Sequence, residues 1–420
     1  MTDLHAAASI PFARTVVTSE AIDAVTAALG SGWLTTGPEV VEFEKEFAAL
    51  VGAPEAVAVA SCTAALELAL GALHLAPGAK VLTPTMTFCG AVNAIVHAGL
   101  TPVLVDLDPA TLMPSPETVR AATAQARGVD AMVVLHYAGY PAPVTALAEA
   151  ADLPLSRVVE DAAHAVGTVT PQGPVGSVSA ATCFSFYATK NLPIGEGGMV
   201  TTADEGIADH VRQARLHGMS RDAWKRYLPG ASWRYEVDTA GLKANLTDPQ
   251  AAIGRAHLRA FPGWQARRAE LAARYDAMLA GVRGLVRPPR PGRGEGTHAW
   301  HLYVVRVMSD ARSDRDAVLA GLTERGIGTS VHFIPNHQQP HFRRVLGLES
   351  GRHFPEADRV VEQILSLPLH PWLTDQDVDR VCEELASLVS GPARSFQPKN
   401  TVPASLAGVR AAAEHEEVRP

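Results

Sequence analysis

Three stretches of the chain place reactive side chains where apolar runs end. "VVEDAAHAVGT" delivers Asp161 and His164, "CFSFYATKN" delivers Ser185 and Lys190, and "VASCTAALELAL" delivers Ser61, Cys62 and Thr63. The last of these reads as a strand running into a helix. The first N–H groups of a helix lack intrahelical partners and sit at the positive end of its dipole, so such a turn suits a phosphate. A lysine can form a Schiff base with an aldehyde, and a carboxylate can keep a pyridine nitrogen protonated so that the ring accepts electrons. A phosphate cradle, a carboxylate and a lysine together match the needs of pyridoxal 5'-phosphate. Each piece also has a plainer reading. An aspartate after a strand often caps a turn, a lysine beside "LPIGEGG" is often solvated, and "SCT" can be a simple N-cap. Their succession along one sheet is what argues for a shared site.

Those residues need a scaffold that brings strand ends together. Short apolar runs alternate with helical stretches through the first half of the chain, the pattern of parallel strands joined by crossover helices. The predicted strands end at Ala60, Pro84, Asp106, His136, Asp161, Phe186 and Thr202. Several are rich in valine, as expected for a sheet covered on both faces. Helices are predicted over Ala64 to Leu75 and Pro116 to Ala126. Ligands of open parallel sheets bind beyond the carboxyl ends of the strands. After Thr202 a mostly helical stretch is expected from about Asp248 to Val282, broken or kinked at Pro262. Beyond the linker "RPPRPGRGEG" come a strand "WHLYVVRV", a helix over Arg315 to Arg325, a strand "GTSVHF", and helix, strand and helix to about Ser390. The expectation is an α/β protein: a large doubly wound domain over 1–250 with a mainly parallel seven-stranded sheet, a smaller C-terminal α/β domain over 251–390, and a flexible tail over 391–420.

Composition narrows the partners. The chain has 420 residues, 47% of them hydrophobic and 19% charged, the balance of a globular protein. The formal net charge is −8 with scattered Lys and Arg, which argues against nucleic acid. No uncharged apolar stretch reaches the roughly 18 residues of a membrane span, and "MTDLHAAASIPFAR" is a poor signal peptide. A cytoplasmic location is expected. Cys62, Cys89, Cys183 and Cys382 lie far apart and read as buried thiols. "HAWH" at His298 to His301 has a possible ligand spacing but no acidic or cysteine cluster beside it, so no metal is assigned.

At these residues the chain resembles the DegT/DnrJ/StrS sugar aminotransferases, fold-type I pyridoxal phosphate enzymes. The motifs that carry the likeness are "EDAAHAVGT", "FSFYATKN", "EGG" at Glu196 to Gly198, "NLTD" at Asn245 to Asp248, and "GIGTSVHF". "LHYAGYPAP", "HAWHLYVVRV" and "ERGIGTSVHF" are most similar to the members that aminate C4 of a nucleotide-linked 4-keto sugar, such as the UDP-4-amino-4-deoxy-L-arabinose synthases. The resemblance implies that Lys190 is the Schiff-base lysine and Asp161 the partner of the pyridinium nitrogen. It implies that His164 lies near the cofactor's phenolic oxygen, and that Thr63, Ser185 and the Cys62 backbone hold the phosphate. Phe88 corresponds to an aromatic residue stacked on the cofactor ring, and His332 falls in a segment lining the sugar pocket. Asn245 matches a residue that reaches the phosphate from a neighbouring subunit, which implies a homodimer. Relatives that have become dehydratases lack the lysine; here it is present.

The expected reaction is transfer of the amino group of L-glutamate to the keto carbon of a nucleotide-linked sugar. A TDP-linked 4-keto-6-deoxyhexose is the first choice of substrate and a UDP-linked 4-keto pentose the second. A 3-keto sugar, a keto cyclitol such as scyllo-inosose, and a non-catalytic regulatory role are the alternatives.

Overall fold

The computed structural model describes residues 9–219, 235–346 and 354–390; the expected tail over 391–420 lies outside them. All seven expected strands form one sheet: β1 (Glu55–Val59), β2 (Lys80–Pro84), β3 (Thr101–Val105), β4 (Ala131–Leu135), β5 (Val158–Asp161), β8 (Ala181–Ser185) and β9 (Gly198–Thr202). A small hairpin of β6 (Val169–Thr170) and β7 (Gly173–Pro174) separates β5 from β8 in the chain. The spatial order is β1-β9-β8-β5-β4-β2-β3. Only β9 runs against its neighbours, wedged antiparallel between β1 and β8.

Both faces of this sheet are covered, which explains its valine-rich strands. Within β1, Val57 and Val59 join one core with α3 (Cys62–Ala72) and α7 (Glu205–Ala214), while Ala56 and Ala58 join another with Phe43 and Phe47 of α2 (Pro38–Val51). The alternation follows from the strand's two-residue period. Around the outer strands pack α4 (Cys89–His97), α5 (Pro116–Ala126) and α6 (Val144–Ala150). Helix α5 begins where its sequence says: Ser115 and Thr118 form a capping box and Pro116 occupies the first turn.

Helix α1 (Ser19–Gly30) packs on the long α8 (Asp248–Met278), and α8 corrects the expectation of a break at Pro262. It passes through Pro262 without a break. Pro262 lies on the exposed side of the helix, where the Leu258 carbonyl that loses its N–H partner can meet water. Buried anchors flank it: the His257 ring donates to the Pro193 carbonyl at 2.7 Å, and Arg268 donates to Leu369 O at 2.8 Å. Tertiary contacts on both sides override the local propensity.

A second, antiparallel sheet contains β10 (Leu285–Val286), β11 (Tyr303–Val307) and β12 (Ile364–Leu367), with α9 (Arg315–Glu324), α10 (Pro340–Leu346), α11 (Pro355–Val361) and α12 (Asp375–Ser390) around it. The expected strand "GTSVHF" is absent, the second correction. Its backbone makes an isolated bridge from Ser330 to Ser366 and then turns toward the large sheet, where the Tyr137 hydroxyl donates to the His332 carbonyl. A side chain takes the place of a ladder partner. Among the described residues no helix is long and apolar enough to cross a membrane.

Asp248 ties the two halves together. At the start of α8 its buried carboxylate accepts from the N–H groups of Gly37 (2.7 Å), Val40 (3.1 Å) and Glu39 (3.2 Å), capping α2 from a distance in sequence. Asp248→Ala is expected to lower stability by about 2 kcal/mol, the worth of a charged helix cap. A urea denaturation midpoint unchanged from wild type would contradict this account.

Candidate active site

The carboxyl ends of β1, β5 and β8 open into one cavity of about 510 Å³. Ser61, Cys62, Thr63, Asp161, His164, Ser185 and Lys190 all line it, together with Phe88 and His332. Residues far apart in sequence meet because adjacent strands end at the same level. Ser61 is the N-cap of α3, its hydroxyl accepting from Ala64 N–H at 3.1 Å. Gly198 closes this cradle. It lies opposite both Val59 and Ser185, so it joins the two strand ends. A Cβ there would fall 2.5 Å from Ser61 C and 2.7 Å from Cys62 N, so the approach requires glycine. Gly90 makes the same demand on the other flank, where a Cβ would fall 2.7 Å from Thr63 Oγ1.

Asp161 ends β5 almost fully buried, with Oδ1 accepting from Ala163 N–H at 3.0 Å and Cys62 Sγ at 3.9 Å. Burial raises its pKa, while the Ala163 N–H and the nearby Lys190 charge oppose that rise. Lys190 opens to the cavity and is otherwise surrounded by protein. Burial draws its amine down to about 8, against the pull of Asp161 in the other direction. Burial and Lys190 hold His164 well below the usual histidine range and bring His332 to about 4. The cavity therefore brings the Lys190 amine and the Asp161 carboxylate together with histidine rings held uncharged by burial.

These features fit pyridoxal phosphate. The α3 N-terminus with Ser61, Thr63 and Ser185 would hold the phosphate, Asp161 the ring nitrogen and Lys190 the aldehyde carbon. The profile of the DegT/DnrJ/EryC1/StrS aminotransferase family matches residues 16–386. The chain belongs to this family. It is 45% identical over 384 residues to a spore coat polysaccharide biosynthesis protein of Bacillus subtilis, covering 91% of this chain and 97% of that one. Among solved structures it superposes on the pyridoxal phosphate form of a putative sugar aminotransferase of Streptococcus pneumoniae with a TM-score of 0.82 at 29% identity, covering 90% and 98% of the two chains. A sugar aminotransferase of Micromonospora echinospora gives 0.80 at 31% identity, covering 90% and 99%. The protein is thus a pyridoxal phosphate-dependent sugar aminotransferase with the fold-type I architecture.

Within this aminotransferase the remaining expected site residues fall in different places. Phe88 stands at the N-terminus of α4, 58% exposed at the cavity wall, with its ring 6.1 Å from Phe333. His332 stacks on Phe12 at 5.5 Å, and its Nδ1 lies 2.9 Å from Ser366 Oγ. Asn245 is not among the lining residues of its own chain's cavity; its Nδ2 donates to Thr36 Oγ1 at 2.9 Å and Lys243 donates to its Oδ1.

Several lining residues escaped the sequence reading. Phe12, Glu196, His301 and Phe333 reach the cavity from the N-terminal segment, the β8–β9 turn, the segment entering β11 and the loop before α10. The "HAWH" spacing marked the right segment for a wrong reason. His298 stacks on Trp300 and accepts from its N–H at 2.8 Å, whereas His301 bonds Asn191, so the two rings do not share a ligand. Replacing Gly198 by alanine would push the β9 backbone off the Ser61 turn. Cofactor affinity is expected to weaken about tenfold or more, the consequence of a steric cost above about 1.4 kcal/mol; equilibrium dialysis showing wild-type affinity would refute the cradle.

Proposed function

We propose that this sugar aminotransferase moves the amino group of L-glutamate to C4 of a nucleotide-linked 4-keto sugar, with TDP-4-keto-6-deoxyglucose as the first candidate. The observation that carries the site assignment is the meeting of Lys190, Asp161 and the α3 turn in one cavity. In this reading 1–250 form the cofactor-binding domain and 251–390 the smaller one, and the reaction belongs to amino-sugar biosynthesis for a cell-surface glycan or an antibiotic. The Bacillus subtilis relative, named for spore coat polysaccharide biosynthesis, supports the glycan branch.

Bound pyridoxal phosphate supplies an aldehyde that condenses with amines and a ring that accepts the electron pair of a carbanion. The chain supplies the rest. The α3 N–H groups and the hydroxyls of Thr63 and Ser185 fix the phosphate, and Asp161 keeps a proton on the ring nitrogen. Burial that brings Lys190 to about 8 leaves a useful share of neutral amine near neutral pH, as a general base requires. Lys190 Nζ would take the proton from the donor's α-carbon and hold it for return, and with the keto sugar the same amine would work in the opposite sense. Phe88, Phe333 and Phe12 limit water on the open side.

A homodimer completes this reading. Asn245 is turned away from its own cavity, and large apolar side chains stand exposed at Trp33, Leu34, Phe88 and Tyr187. Such surface is what a partner subunit covers. In the cytoplasm, L-glutamate is an available donor.

The test is the visible absorbance band of the holoenzyme. L-Glutamate should bleach it and TDP-4-keto-6-deoxyglucose should restore it, while Lys190→Ala should lose both the band and turnover. Bleaching without recovery would move the acceptor to a 3-keto sugar or keto cyclitol. A band that glutamate leaves intact would defeat the donor assignment. Asn245→Ala is expected to weaken cofactor binding; unchanged affinity would remove the argument for a shared site.

A further inference from the structure

Two histidines beside Lys190 have their ring hydrogens fixed on opposite nitrogens. Asn191, the residue after Lys190, is buried and donates Nδ2–H to Ala299 O at 2.8 Å and to Gln265 Oε1 at 3.2 Å. Gln265 donates to the same Ala299 carbonyl at 2.7 Å, so its own Oε1 is an acceptor. With both amide hydrogens of Asn191 placed, its Oδ1 must accept, and its partner at 3.0 Å is His301 Nδ1. Nδ1 therefore carries the hydrogen of the neutral His301 ring and Nε2 is a lone pair. His164 is the reverse: its Nδ1 accepts from Ala138 N–H at 3.2 Å, leaving the hydrogen on Nε2. The Ala138 carbonyl accepts from His301 N–H at 3.0 Å, so one residue in the left-handed region (φ 58°) sets the register of both rings. Their centroids are 4.4 Å apart on the cavity wall.

A neutral lysine amine has two N–H bonds and one lone pair. To take a proton from carbon, the lone pair must face that carbon while the N–H groups point elsewhere. We propose that His301 is a positioning residue for Lys190: its Nε2 lone pair accepts an N–H of the free lysine amine and turns the amine's own lone pair toward the reacting carbon. This rests on Lys190 being the residue that moves the proton. The other titratable groups lining the same cavity are Asp161 on β5, Cys62 on α3, His164 after β5, His332 in the loop before α10, and Glu196 in the β8–β9 turn. Burial, His164, Lys190 and Arg268 keep His301 uncharged, so no proton passes to it. The proton would pass from the donor's carbon to Lys190 Nζ and stay there until it is returned, and the resulting ammonium would keep an N–H toward His301 Nε2. Through Asn191 and Gln265 the same network ties the lysine's backbone to α8 and to the segment entering β11.

Two substitutions separate the lone pair from the anchor. His301→Asn keeps a donor near Nδ1 for Asn191 and removes the acceptor from the cavity. His301→Gln places an amide oxygen near the Nε2 position and gives up the bond to Asn191. The readout is the Lys190 titration in the cofactor-free protein, followed by competitive acetylation and peptide mass spectrometry. The wild type should titrate near 8. Loss of an acceptor for the ammonium should lower that value in His301→Asn by roughly half to one pH unit, the scale of one hydrogen bond, while His301→Gln stays close to wild type. Equal shifts, a larger shift in His301→Gln, or no shift would overturn the proposal. The wild-type protein offers a second check: nitrogen NMR of labelled histidines should show His301 protonated at Nδ1 and His164 at Nε2, and a hydrogen on Nε2 of His301 would also overturn it. Borohydride reduction of the holoenzyme with peptide mapping tests the premise. A label on another lysine overturns the Lys190 assignment together with this inference, whereas a label on Lys190 with an unshifted His301→Asn overturns the inference alone.

Discussion

An amine and a carboxylate held out of bulk water at the same edge of one sheet are the constraint on which this fold turns. Taking such groups out of water costs several kcal/mol each unless charge and hydrogen bonds compensate. Lys190 and Asp161 compensate one another in part, and Ala163 N–H adds to the aspartate's side. The rest of the cost is offset by the packing of the frame that holds both groups in place. The two covered faces of the seven-stranded sheet, each with its own apolar core, supply that frame.

The antiparallel strand is the means by which the frame becomes a site. Were β9 parallel, its other end would lie beside Ser61. Because it runs backward between β1 and β8, Gly198 is placed at the carboxyl ends of both, where a side chain would strike the α3 turn. The same turn from β8 to β9 carries Lys190, Asn191 and Glu196. One chain reversal thus brings the Ser61 turn, Lys190 and Asn191 to the same end of the sheet.

The second sheet contributes chemistry as well as bulk. The segment entering β11 sends His301 into the cavity and the loop before α10 sends Phe333, and Arg268 of α8 stands behind them, fully buried and drawn down to about 9 by its burial. Uncharged rings around a single amine keep the local field simple: the cation is felt by every neighbour, and none of the histidines competes with it for a proton near neutral pH.

Sequence alone determined the elements whose signals are local. Strand ends at Pro84, Asp161 and Thr202 and the helix over Pro116–Ala126 were legible to the residue, because apolar runs, caps and prolines act within a few positions. The order of Asp161, Ser185 and Lys190 along those strands announced a pyridoxal phosphate chemistry that the family then showed. Local rules failed where distant contacts prevailed. Pro262 sits inside an intact helix because His257 and Arg268 are anchored on either side of it, and "GTSVHF" is no strand because Tyr137 claims its backbone. Nothing near His301 in sequence says that its partner is Asn191, 110 positions earlier. The tertiary structure alone decided which ring nitrogen carries a hydrogen, because that depends on donors and acceptors brought together from the segments after β4 and β8, from α8 and from the segment before β11, and no spacing along the chain encodes such a meeting.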